Sequence, residues 1–116
     1  MLTKNNALKG EIRTEVRGGP GSMTFTPKAE VLPDSLRLVS EILIPPGAGI
    51  GVHTHDGETE IYYIVRGTGV VTDDGVEKPI GPGDVMVTPN GHNHSVTNNG
   101  TEDLLFLAVI NYDINK

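Results

Sequence analysis

Apolar residues in this chain come in short alternating stretches cut by glycine and proline about every ten residues, which favours strands and leaves little room for a helix. Leu36, Leu38, Ser40, Ile42 and Ile44 make one face of a strand that Pro45-Pro46-Gly47 closes. Further strands are expected at residues 23–26, 60–65, 69–73, 76–80, 84–88 and 94–98. Asp73-Asp74-Gly75 is a hairpin signal between two of them. Residues 104–110 are apolar throughout and predict a central strand covered on both faces. Glycine (15) and proline (8) make up about a fifth of the 116 residues, against roughly 12% in ordinary domains. Two Phe, three Tyr and no Trp force an aliphatic core. This length and pattern predict a single all-β domain, a sandwich or a barrel.

The composition narrows the chemistry. A net charge of −6 without a basic cluster disfavours nucleic acid and anionic membranes as partners. With no cysteine there is no disulfide, thiolate nucleophile or Cys-ligated zinc. No signal-peptide core or membrane-length apolar run is visible, so a cytoplasmic protein is expected. Arg17-Gly18-Gly19-Pro20-Gly21 has the glycines of a phosphate loop but not its Lys-Ser/Thr, and reads as a plain loop.

Three of the four histidines fall in a pattern that suits one metal ion. His53 and His55 are two residues apart, which on a strand points both imidazoles to one face and on a helix would separate them by about 200°. Glu60 follows an Asp56-Gly57 turn, so its strand can return beside them. His94 supplies a third imidazole. Three neutral imidazoles and a carboxylate suit a divalent first-row ion and admit Mn, Fe, Ni, Zn or Cu. Four ligands leave up to two places of an octahedral shell open to water or a substrate, as in a catalytic rather than a sealed site. Ligand histidines must be neutral, so metal is expected to be lost below about pH 6.

With its glycines the first segment reads Gly47, five residues, His53-Thr54-His55, four residues, Glu60, six residues, Gly67. The second reads Gly83, five residues, Pro89-Asn90-Gly91, two residues, His94, three residues, Asn98. Together they resemble the two signature motifs of the cupin superfamily, with a short spacing of fifteen residues between them. The resemblance covers residues 44–98 and is silent on residues 1–35. It implies a double-stranded β-helix (jelly-roll) barrel, a single cupin domain over residues 31–116 with residues 1–30 as an N-terminal arm, and His53, His55, Glu60 and His94 as metal ligands. It also implies a small-molecule substrate and chemistry like that of decarboxylase or dioxygenase cupins. Sugar-isomerase-like turnover and metabolite binding without turnover are the alternatives.

Around these ligands, Tyr62 shares the parity of Glu60 and is the candidate catalytic hydroxyl. His92 could share the face of His94 but fills no motif position. Glu58 is read as a solvated turn residue, Arg37 and Glu41 as solvated or dimer-facing, and Met86 and Phe106 as pocket wall or core. A homodimer is expected, with the arm covering an exposed sheet.

Overall fold

A computed structural model describes residues 1–113 of the chain. Its strands are β1 (Glu11–Thr14), β2 (Ser22–Pro27), β3 (Leu36–Ile44), β4 (Gly49–Thr54), β5 (Glu58–Arg66), β6 (Gly69–Asp73), β7 (Val76–Ile80), β8 (Val85–Thr88), β9 (Asn93–Thr97) and β10 (Leu104–Tyr112). Val16–Gly18 forms a 3-10 turn between β1 and β2. No helix among the described residues is long and apolar enough to cross a membrane. The strands form two antiparallel sheets, one of six strands in the order β1-β2-β3-β10-β5-β8 and one of four in the order β4-β9-β6-β7. This is the all-β jelly roll that the punctuation and the motifs predict.

The core lies between the sheets. Phe25, Ile42, Ile44, Tyr62, Ile64, Phe106 and Ala108 face inward from the larger sheet, and Ile50, Val71 and Val96 meet them from the smaller. Met86 packs against the same cluster and Phe106 is fully buried in it, so both belong to the core. Burial of these side chains, each worth about 1.5–3 kcal/mol, is what closes the barrel. β2 pairs with β3 and buries Met23 and Phe25, so the sheet reaches back across residue 30. The three residues that end the expected barrel lie outside the described residues.

Turn chemistry sets where the strands end. Gly67, at φ 82°, closes β5 where a Cβ would stand 2.3 Å from the Asp103 carbonyl oxygen, so only glycine fits. Asp74 and Gly75 both take positive φ between β6 and β7, as a two-residue hairpin turn requires. The motif residue Asn98 is fully buried and works as a staple. Its Nδ2 donates to the carbonyls of Ile44 (2.8 Å) and Glu102 (2.7 Å), and its Oδ1 accepts from Gly100 N–H (2.9 Å).

β10 is central, as its apolar run predicts, but only one of its faces is fully covered. Leu104, Phe106, Ala108 and Ile110 point into the core, while Leu107 and Val109 are half-buried on the outside. Across this outer face, Val109 pairs with Val39 and Ile61, and Ile61 with Val87; Leu107 pairs with Tyr63, and Tyr63 with Val85. Val85 (59% exposed), Val87 (49%), Tyr63 (47%) and Val65 (45%) leave an apolar surface without a covering layer among the described residues.

Candidate metal centre

His53 and His55 reach the barrel interior through a break in β4. Ile50 pairs with Val96, but His53 pairs with His94, so β4 carries one extra residue between them. This β-bulge at Gly51-Val52 reverses the alternation. Ile50 is buried before it, and His53 and His55 face inward after it, while Val52 and Thr54 are exposed. An unbroken strand with Ile50 inside would turn both histidines out to solvent. Glu60 enters from β5 and His94 from β9, both at regular inward positions. The turn before β9 is bound to the loop after β4 in both directions. Gly91 N–H donates to the His55 carbonyl (2.7 Å), and His55 N–H donates to the His92 carbonyl (3.1 Å).

The four expected ligands converge. One ligand atom from each of His53, His55, Glu60 and His94 lies within 4.8 Å of all the others. His94 Nε2 stands 3.0 Å from both His53 Nε2 and His55 Nε2, and Glu60 Oε1 stands 3.0 Å from His55 Nε2 and 3.1 Å from His94 Nε2. Bonds of about 2.1 Å separate neighbouring ligands of an octahedral ion by about 3.0 Å, and those of a tetrahedral ion by about 3.4 Å. The four observed separations are therefore of the size that neighbouring ligands of one ion require.

Each imidazole is oriented through its other nitrogen. His53 Nδ1–H donates to the Gly51 carbonyl (2.8 Å), His55 Nδ1–H donates to Glu58 (3.0 Å), and His94 Nδ1 lies 2.8 Å from the Thr88 hydroxyl. These contacts occupy Nδ1 and leave Nε2 of each ring facing the centre, the nitrogen that would bind a metal. Glu58 is accordingly not the solvated turn residue expected from the sequence. It opens β5, its side chain is 13% exposed, and it takes a bidentate ion pair from Arg37 at 2.7 and 2.8 Å. Arg37 keeps a side chain that is 41% exposed, as expected of a solvated residue, but it also reaches the site. The β3–β10 register slips by one residue there, leaving Arg37 opposite no residue of β10, and its side chain lines the cavity. Glu41 does stay on the outer side, 3.8 Å from Lys28.

The electrostatics suit a cation. Burial pushes the Glu60 carboxyl up, but hydrogen bonds from His55 and His94 outweigh it and bring it down to about 2. His55 is raised by its hydrogen bond to Glu60, and His53 is lowered by burial. Glu58 is lowered by the Arg37 guanidinium. Tyr62 is fully buried, stacks on His94 with ring centres 5.0 Å apart, and touches Phe106 behind it. Burial and the Glu60 charge hold its phenol well above the usual range, so it is a neutral hydrogen-bond donor rather than a base. His92 points away and pairs with Asp74, so only its backbone serves the site. A cavity of about 120 Å³ opens over the cluster, walled by Leu38, Ile42, Ile50 and Ile110.

An all-β barrel with three histidines and a glutamate at its inner end defines a class of metal-site barrels. The family model of the cupin domain matches residues 40–110, and the chain belongs to that family. A protein of Thermotoga maritima described as an oxalate-binding protein is 41% identical over 112 residues, which are 95% of this chain and 93% of that one. The crystal structure of a predicted oxalate decarboxylase from Thermotoga maritima superposes with a TM-score of 0.89 at 38% identity, covering 97% of this chain and 99% of that one. A cupin barrel protein of Salinispora arenicola shares the fold at a TM-score of 0.65 and 24% identity, over 98% of this chain and 82% of that one.

Proposed function

We propose that the chain holds one divalent transition-metal ion on His53, His55, Glu60 and His94 and uses it on a small carboxylate-bearing metabolite, in decarboxylase- or dioxygenase-like chemistry. The observation that carries this is the convergence of those four side chains at the end of a cavity of about 120 Å³, roughly the volume of four waters, which suits a molecule of a few heavy atoms. The likeness to an oxalate-binding protein supports the same substrate class. A bound Mn, Fe, Ni, Zn or Cu ion would supply Lewis acidity to vicinal oxygens and, if redox-active, an electron route to O₂.

The protein's own groups do the rest. Tyr62, lining the cavity with its proton held, is the candidate catalytic residue and donates a hydrogen bond to a substrate oxygen. The aliphatic wall excludes water, which strengthens every charge interaction inside. Glu58 and Thr88 keep the ligand imidazoles from rotating. A homodimer and a cytoplasmic setting, in keeping with a chain free of cysteine, complete the reading.

The second reading is a binding module, favoured by the wording used for the 41% identical relative. Elemental analysis of the purified protein, followed by assays of oxalate consumption, CO₂ release and O₂ uptake, separates the two. Metal with turnover supports the enzyme, and tight oxalate binding without turnover supports the module. A His94→Ala variant that kept full metal content and every activity would remove the enzyme reading.

A further inference from the structure

The chain has four arginines, and three of them, Arg13, Arg17 and Arg37, line the cavity above the metal-ligand cluster. In a protein of net charge −6 this places positive charge where the metal chemistry would occur. The three are not equivalent. Arg37 is neutralised by its bidentate pair with Glu58. Arg13 bonds Glu11 at 3.2 Å and lies over the Phe25 ring, 4.3 Å from its centre. Arg17 makes no ion pair among the described residues and lines the same cavity as His53 and Tyr62.

The backbone holds Arg17 in place. The turn from Val16 to Gly19 lies directly on β4, the strand that carries His53. A Cβ at Gly51 would stand 2.2 Å from the Arg17 carbonyl oxygen, and one at Gly19 would stand 2.1 Å from the Gly49 carbonyl oxygen. Two glycines facing each other's backbone are what allow this approach. The turn is closed by Gly18 N–H to Glu15 O (3.0 Å) and Gly19 N–H to Val16 O (2.9 Å), and tied to β4 by Gly49 N–H to Pro20 O (3.0 Å). Arg17 itself sits at φ 53°, ψ 30°, a conformation rarely taken by a residue with a side chain. An unpaired guanidinium on a fixed, strained turn beside a cavity is placed for a ligand.

We propose that Arg17 is a specificity-determining residue that binds the second carboxylate of a short dicarboxylate whose first carboxylate is held at the His53–His55–Glu60–His94 centre. The inference rests on the metal-centre reading above and deepens it. The charges match. A divalent ion on Glu60 leaves one positive charge, Arg17 adds another, and a dianion neutralises both. A guanidinium can also take a carboxylate with two parallel hydrogen bonds, which a monoacid already used at the metal cannot offer.

The test uses the full chain loaded with Zn²⁺, which is redox-inert, so that binding is read apart from turnover. Oxalate, malonate and acetate are titrated by calorimetry into wild type, Arg17→Gln and Arg17→Lys, with zinc content and thermal midpoint measured on each. Wild type is expected to prefer the dicarboxylates to acetate. Arg17→Gln should lose about tenfold or more of dicarboxylate affinity with acetate binding unchanged, and Arg17→Lys should recover part of it. An Arg17→Gln protein of normal zinc content and normal dicarboxylate preference overturns the assignment while leaving the metal centre standing. A wild-type protein that takes up no metal overturns the metal-centre reading, and this inference with it.

Discussion

Glu58 is bound on both sides, giving one oxygen to His55 Nδ1 and both to the Arg37 guanidinium. It fixes the His55 ring and raises its basicity, as carboxylates behind metal-bound histidines do. Glu58→Ala should therefore lower metal affinity about 10- to 100-fold while the protein still folds, measured by competition with a chromophoric chelator. Protons compete with the metal at the same imidazole. The folded value of His55 lies above its unfolded value of about 6.5, so in the metal-free protein it contributes stability that is fully present below about pH 6.5 and lost as pH rises through the folded value. Metal needs the deprotonated nitrogen, so uptake near neutral pH should release protons, and retention should fall below about pH 6. Calorimetry in two buffers of different ionisation enthalpy reads the release. A buffer-independent heat, or metal fully retained at pH 4, would tell against this ligand set.

At the scale of elements, β4 decides the site. Its bulge turns His53 and His55 inward, and its glycines accept the 3-10 turn that carries Arg17. Gly51→Ala puts a methyl group into the Arg17 carbonyl, and backbone overlap of this kind costs roughly 1–3 kcal/mol. The expected result is a lower urea midpoint with unchanged m-value and weaker ligand binding, since the turn must lift away. β1 and β4 were not among the strands expected, but the other eight of the ten were legible in the sequence because glycine, proline and alternating apolar residues act locally. The bulges were not, because an extra residue in β4 or β3 is defined only against β9 or β10, more than forty residues away. Parity counted along β3 placed Arg37 outside for the same reason, and residues 13–17 carried no local signal of their approach to the cavity.

For the whole molecule, the outer face of the six-stranded sheet is the open question of packing. One row crosses four strands from Val39 to Val87 and another crosses three from Leu107 to Val85, with valine and tyrosine still half exposed. Contiguous apolar surface of this kind marks an interface, and a symmetric second copy would cover it. The wild-type chain should be a dimer by light scattering at micromolar concentration, and Val87→Asp should shift it to monomer without unfolding it. A wild-type monomer at that concentration would sink the proposal. At the opposite edge, β1 pairs only with β2 among the described residues, and all four of its residues are exposed.

The amino-acid order alone determined most of the strand content, the aliphatic core, the four candidate ligands and the family, because spacing, turn residues and donor chemistry are written along the chain. Tertiary structure alone decided which way each side chain faces and which charges meet. A one-residue slip between paired strands inverts every position beyond it, and Glu58, Arg37 and Arg17 acquire their roles only from neighbours brought in by distant segments.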